Sequence, residues 1–307
     1  MRTSSLFAAA AMAILTASAG AQTIAVFGAS RGGASSISEG SLTTQLRAAI
    51  QAAYPAGTFR PLTTIDAASL AGVDLVMLCS AAGATSAITP LSAAEQTALG
   101  NFVLAGGGAV IFVDNDTFAG GGTDVANESL LNPFGVDVSG TGPGWQRFAS
   151  AAFPDLTPVT SGPFGTVSQY SVGWSGWFAP SATAIVAASL NDNFQPCLLV
   201  LAPGVLGLGS GKVVLFSDST MISNGFFPDS NRRIVLNAID YVRPAPVCDA
   251  DLNRDGNVDQ ADVDYLINVI AGGANPEGID PDVNRDGNAD QTDVSALIDV
   301  VAGGACP

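Results

Sequence analysis

Histidine is absent from this 307-residue chain, and lysine occurs once, at Lys212. Without an imidazole there is no Cys-His or Ser-His pair to activate a nucleophile. A Ser-Lys dyad would have to use Lys212, which opens an apolar run after Gly209-Ser210-Gly211, and no serine motif partners it. Basic residues are scarce altogether: 11 Lys and Arg stand against 27 Asp and Glu, a formal net charge of −16. Nucleic-acid binding needs a basic face, so that class is excluded. Long apolar runs are missing too. Leu6 to Leu15 falls short of the roughly twenty residues that span a bilayer, and no later stretch reaches that length without glycine, proline or charge. No membrane span is expected.

The early apolar run reads as an address label. Arg2 precedes it, and Ala19-Gly20-Ala21 offers a small-x-small cleavage site before Gln22. A signal peptide over residues 1–21, cleaved near Ala21, implies a secreted, extracellular or cell-surface protein.

Acidity concentrates at the far end. Asp251-Leu252-Asn253-Arg254-Asp255-Gly256-Asn257-Val258-Asp259-Gln260-Ala261-Asp262 is repeated after 31 residues as Asp282-Val283-Asn284-Arg285-Asp286-Gly287-Asn288-Ala289-Asp290-Gln291-Thr292-Asp293. Each copy places oxygen side chains at loop positions 1, 3, 5, 9 and 12 with glycine at 6. Calcium takes six to eight oxygens, so Asp251, Asn253, Asp255, Asp259 and Asp262, with the Asn257 carbonyl at position 7, suit one ion. Asp282, Asn284, Asp286, Asp290 and Asp293, with the Asn288 carbonyl, suit a second. Gly256 and Gly287 stand where the chain must reverse sharply. From Cys248 onward, twelve Asp and one Glu face only Arg254 and Arg285, a density that repels itself until cations bind.

The repeat continues past the loops. Val263, Leu266, Ile267 and Ile270 correspond to Val294, Leu297, Ile298 and Val301, one apolar helix face in each copy. Gly272-Gly273 and Gly303-Gly304 stop the helices. Pro-rich segments precede both loops, so no helix enters either of them. Cys248 and Cys306 flank this repeat, and because a two-fold repeat brings its ends together, a Cys248–Cys306 clasp is expected. Cys79 and Cys197 remain, as a pair or as buried thiols.

A duplicated calcium loop and helix with Asp at position 12 resembles the type I dockerin module. That resemblance implies two calcium ions and a cohesin-like protein partner. It also implies partner contacts at positions 10 and 11, here Gln260, Ala261, Gln291 and Thr292, although many such modules carry a Ser/Thr pair there. Acidic calcium arrays of matrix proteins share the Asp-rich loops but lack the helix after each.

Residues 22–243 alternate short apolar runs with helical stretches. Strands are predicted at Thr23 to Phe27, Val73 to Leu78, Ala109 to Val113, Ala182 to Leu190, Leu198 to Leu201 and Val213 to Phe216. Helices are predicted at Ser41 to Tyr54, Leu91 to Leu104 and Asn231 to Val242, the second opened by Ser92 with Glu95 three residues on. Such alternation predicts an α/β fold, a mainly parallel sheet flanked by helices, followed by a small all-α calcium module over 244–307. Residues 140–180, rich in Gly, Pro, Ser and aromatics, read as an irregular or β-rich insertion.

The layout, with Leu91 to Val103 leading into Gly106-Gly107-Gly108-Ala109-Val110-Ile111 and with Gly209 to Ser219, resembles the class I glutamine amidotransferase-like fold, a flavodoxin-like architecture, in its trehalose-utilisation-type branch. True amidotransferases use a cysteine on a glycine-flanked elbow activated by histidine. Here Cys79 is followed by Ser80-Ala81-Ala82, and a structural role is expected for it. Gly28 to Gly33 lacks dinucleotide spacing and reads as a turn. Asp114 and Asp116 follow one strand and Asp218 another, at the strand ends where open α/β sheets take ligands; they form a candidate ligand pocket or serve as loop caps. Trp145, Trp174, Trp177 and Phe178 either stack on a sugar or form a satellite core.

The sequence thus predicts a secreted calcium-binding protein whose dockerin-like tail docks a non-catalytic α/β domain to a cohesin-like partner. The alternatives are a tethered carbohydrate-active hydrolase or sugar-binding protein acting on polysaccharide, and a surface protein whose module folds with calcium and docks to nothing.

Overall fold

The computed structural model describes residues 22–141, 147–151, 157–179, 181, 183–244, 250–279, 281–284 and 288–303. The expected leader at 1–21, Trp145, Asp286 and the Cys248–Cys306 clasp lie outside the described residues. The chain divides into two compact units, Gly20–Pro244 and Ala245–Pro307.

Nine strands build the main sheet of the larger unit: β1 (Thr23–Phe27), β2 (Thr58–Leu62), β3 (Leu75–Cys79), β4 (Gly108–Phe112), β5 (Arg147–Ala151), β6 (Gln169–Val172), β7 (Ile185–Leu190), β8 (Pro196–Leu201) and β9 (Val213–Phe216). Their order is β6-β5-β7-β8-β9-β4-β3-β1-β2. Every residue of β3, β4 and β9 is buried. Such unbroken apolar runs are what a parallel sheet covered on both faces demands.

The sheet is mixed rather than mainly parallel. From β2 through β1, β3 and β4 to β9 all pairings are parallel. From β9 outward through β8, β7 and β5 to β6 they are antiparallel. The expectation of a mainly parallel sheet holds only for the half from β2 to β9; in the other half β7 and β8 form a hairpin closed by Leu190 N–H on the Gln195 carbonyl at 2.9 Å, with no room for a crossover helix between them. The Gly/Pro/Ser-rich stretch supplies β5 and β6, so it is β-rich. Short antiparallel pairs join Ser161–Gly162 to Gly165–Thr166 and Val138–Ser139 to Trp177–Phe178.

Four main helices accompany the sheet: α1 (Thr44–Ala53), α2 (Ala93–Leu104), α3 (Gly122–Leu131) and α4 (Asp229–Val242). The Ser92 cap accepts the Glu95 N–H at 3.3 Å while Glu95 Oε2 takes the Ser92 N–H at 2.9 Å, closing the capping box. Glu95 also pairs with Arg31, tying the segment after β1 to the start of α2.

In the smaller unit, α5 (Gln260–Ile270) and α6 (Gln291–Val301) each follow an acidic loop. Its core holds Ala250, Leu252, Val263, Leu266, Val294 and Leu297, with Ile270 and Val301 packed at its margin. Ile267 and Ile298, expected on the buried face, are each 47% exposed. Two short helices and two loops enclose little volume, and the third residue of each helical stripe overhangs it. Gly272, with φ of 85°, ends α5 in the left-handed conformation that glycine adopts without steric cost. Among the described residues, no helix is long and apolar enough to cross a membrane.

Candidate functional site

Position 9 of each acidic loop is also the cap of the helix that follows. Asp259 Oδ1 accepts the Ala261 N–H at 2.8 Å, and Asp290 Oδ1 accepts that of Thr292 at 2.8 Å. Position 12 closes the box from inside the first turn. Asp262 Oδ2 takes the Asp259 N–H at 2.9 Å and Asp293 Oδ2 takes the Asp290 N–H at 2.8 Å. The other oxygens reach back nine residues: Asp262 Oδ1 to Asn253 N–H at 3.1 Å, Asp293 Oδ1 to Asn284 N–H at 2.9 Å. One carboxylate therefore fixes where the loop begins, where the helix begins and the angle between them.

The remaining side chains of the first loop turn onto its backbone. Asp251 accepts the N–H groups of Asp255 and Gly256 at 3.0 and 2.9 Å. Asn253 Oδ1 accepts that of Asp255 at 2.9 Å. Asp255 accepts from the backbone N–H of Asn257, which holds its carboxyl below the usual range. Gly256 has φ of 92°, the reversal that lets consecutive N–H groups point into the loop. Because the acids are turned this way, no three His, Cys, Asp or Glu side chains among the described residues stand together as a metal-holding group.

The donor chemistry nevertheless fits a hard cation. Asp262 and Asp293 are fully buried, and among the described residues no basic side chain forms an ion pair with either. A buried carboxylate without a counter-charge is costly. Every donor of the loop is a hard oxygen, the chemistry calcium takes. Asp251, Asn253, Asp255, Asn257, Asp259 and Asp262 of the first loop, and Asp282, Asn284, Asn288, Asp290 and Asp293 of the second, are the residues that would hold it.

Gln260, Ala261, Gln291 and Thr292 are exposed on the first helical turns. The two pairs are not equivalent. Thr292 Oγ1 donates to Asp290 Oδ1 at 2.8 Å and accepts from Asn284 Nδ2 at 2.7 Å. Its hydroxyl thus ties the second loop together, whereas Ala261 has nothing to offer there.

In the larger unit, the segments after β1, β3, β4 and β9 border a cleft of about 480 Å³. Asp114 and Asp218 leave neighbouring strand ends and are 1% exposed each. Asp114 Oδ1 accepts the Asn115 N–H and Nδ2, both at 2.8 Å, and Oδ2 accepts the Ser219 hydroxyl. Asp218 Oδ2 takes the Gly173 N–H at 2.6 Å and Oδ1 that of Thr220 at 2.9 Å. Burial pushes both carboxyls up from the ordinary aspartate value, and for Asp114 the neighbouring Asp218 charge adds to it.

Asp116 does not join them. Its Oδ2 accepts the Gly140 N–H at 2.7 Å, and its charged neighbours are Asp124 and Asp137. Trp174, 44% exposed, lines the cleft, whereas Phe178 is fully buried in the main core. Trp177 is half-buried. Cys79 and Cys197 are buried thiols, resolving the two readings of that pair. Burial pushes the Cys79 thiol up to about 12, and Asp114 and Asp218 add to the rise against a lowering Ala81 backbone bond. The part of this site that sequence reasoning missed is Ser219, which anchors Asp114 from 105 residues away; only strand order brings them together.

Residues 249–301 match the family model for the dockerin type I domain. Dockerin type I domains bind calcium and imply a cohesin partner. The matched segment holds both acidic loops and both helices, so the likeness rests on the residues just described. No curated protein matches the chain. Among solved structures, the mmIFT52 N-terminal domain is 14% identical with a TM-score of 0.52, over 71% of this chain and 96% of that one. A ThuA-like protein from Bacteroides uniformis is 13% identical with a TM-score of 0.48, over 78% of this chain and 95% of that one. The first likeness is one of fold alone.

Proposed function

We propose that this is an exported protein whose C-terminal unit, folded around two calcium ions, docks onto a cohesin-like partner and carries a non-catalytic α/β domain to it. The observation that carries this reading is the pair of fully buried carboxylates, Asp262 and Asp293, at equivalent places in a dockerin-like repeat and without a basic ion-pair partner among the described residues. Bound calcium supplies the missing positive charge. The carboxylates then hold the loop start to the first turn of α5 and α6, so that Gln260, Ala261, Gln291, Thr292 and the exposed Ile267 and Ile298 are presented at fixed angles.

For the larger unit, a binding role fits better than catalysis. The oxygens of Asp114 and Asp218 are engaged by backbone and side-chain donors, and Cys79 is held as a neutral thiol with no imidazole in the chain. The hydrolase reading has one point in its favour, the two carboxyls beside a cleft.

A pull-down from the native secretome tests the docking reading. Bait loaded with millimolar calcium captures a cohesin-bearing protein, and excess chelator releases it. Equal recovery of the same partner with and without chelator would contradict the proposal.

A further inference from the structure

We propose that the cleft at the carboxyl ends of β1, β3, β4 and β9 binds a small uncharged polyhydroxylated ligand, one sugar ring or two. This rests on the reading of the larger unit as a binding body and names its ligand class. The sheet places the site. Reading outward from β1, the chain runs to β2 on one side and β3 on the other, so the strand order reverses between β1 and β3. At such a reversal point open α/β sheets bind ligands in the crevice outside the carboxyl ends of the strands. Ser35 follows β1, Thr85 follows β3, and Ser223 follows β9; all three line the cleft. Its volume of about 480 Å³ lies inside the usual range for small-ligand sites.

The wall chemistry narrows the ligand. Among the described residues no basic side chain lines the cleft, whereas the Asp114 carboxyl, with Asp218 as its charged-group neighbour, does. An anionic ligand would meet repulsion and find no counter-charge. A cation gains little either, because both Asp114 oxygens already accept hydrogen bonds from Asn115 and Ser219. What remains is apolar surface with hydroxyls set into it. Trp174 and Phe118 provide the apolar part. The hydroxyls of Ser35, Thr85 and Ser223 make no side-chain hydrogen bond within the described residues. Each hydroxyl can donate one bond and accept two. Unspent hydroxyls from three different strand-end segments of a cleft that Trp174 and Phe118 also line match the alternating C–H faces and hydroxyl rims of a sugar ring.

The test is calorimetric titration of the calcium-loaded full chain with neutral probes (glucose, galactose, mannose, xylose, cellobiose and maltose) and with two charged ones, glucuronate and choline, each to 10 mM. At least one neutral sugar is expected to saturate, and neither charged probe. Ser35→Ala and Ser223→Ala should each weaken that sugar about five- to tenfold, as for one lost hydrogen bond, and Trp174→Ala should abolish binding, with melting temperatures held as the control for folding. The inference is overturned if no neutral probe saturates, if glucuronate or choline binds more tightly, or if both serine variants keep full affinity. Chromatography of the bound disaccharide separates the two readings: recovery intact supports a binding body, whereas cleavage overturns the non-catalytic reading and leaves sugar binding standing.

Discussion

Asp262 Oδ1 accepts the backbone N–H of Asn253 at 3.1 Å, and that bond closes the first acidic loop onto the first turn of the helix it precedes. The same carboxylate caps the helix from within. Loop closure, helix start and the proposed ion site therefore share one side chain. Asp262→Ala should abolish calcium binding at the first loop and destabilise the smaller unit by about 2–4 kcal/mol, the cost of orphaning buried N–H groups and a metal site. Calcium titration should fall from two ions per chain to one, with far-UV circular dichroism showing an earlier transition for that unit alone.

Removal of calcium should act on the two units unequally. At a dissociation constant near 10 μM, millimolar calcium adds about 2.7 kcal/mol per site by mass action. The smaller unit has a core of six buried apolar residues, too few to hold it without that contribution. Chelator should lower its melting transition sharply. Tryptophan emission, which comes only from Trp145, Trp174 and Trp177 in the larger unit, should keep its own transition.

Asp114 and Asp218 set an opposite dependence on pH in the larger unit. Both carboxyls are raised above their unfolded value, chiefly by burial, so the folded protein binds these protons more tightly than the unfolded chain. Their charged forms oppose folding near neutrality, and that opposition fades as pH falls towards the ordinary aspartate range. Asp114→Asn removes part of this response. The melting temperature of the wild type relative to Asp114→Asn, followed by tryptophan emission in chelator, should rise from pH 7 to pH 5.

Cys79 should be chemically silent. With its thiol pushed up to about 12 and 5% exposed, it presents almost no thiolate at pH 8. Iodoacetamide should label neither Cys79 nor Cys197 in the native protein and both in guanidinium. Native labelling of Cys79, or glutaminase turnover lost in Cys79→Ala, would contradict the structural role assigned to it.

The repeat predicts redundancy in docking. Gln260 and Gln291 occupy the same place on two similar faces, both exposed. Gln260→Glu alone should change partner affinity less than about threefold, as should Gln291→Glu, if either face suffices. The double variant should lose at least tenfold while calcium affinity stays constant. Because Thr292 braces Asn284 and Asp290, Thr292→Ala should instead weaken calcium at the second loop, an effect with no counterpart at Ala261.

The calcium loops were legible because their ligands lie within twelve consecutive positions and the helix stripe follows directly. Even there, the stripe included Ile267 and Ile298, since periodicity shows a face and not how much of it a small core covers. Four of the parallel strands were legible as unbroken apolar runs such as Leu75–Cys79 and Val213–Phe216; the edge strand β2, Thr58–Leu62, was not, because its residues are mostly exposed or half-buried and include Arg60 and Pro61. The antiparallel β7 and β8 were legible as strands too, whereas β5 and β6 were not, because they lie among glycine, proline and serine and take their partners from tertiary pairing. The meeting of Asp114 with Ser219, across 105 residues of sequence, depends on β9 lying beside β4. No local pattern encodes that adjacency.

The central claim is that calcium, acting through Asp262 and Asp293, makes the tail competent to dock. Its most direct test is the affinity of the full chain for an immobilised type I cohesin domain, in millimolar calcium, in excess chelator, and for the Asp262→Ala, Asp293→Ala double variant in calcium. We expect tight capture in calcium alone, with at least a hundredfold loss in the other two conditions. Equal capture in all three would contradict the account.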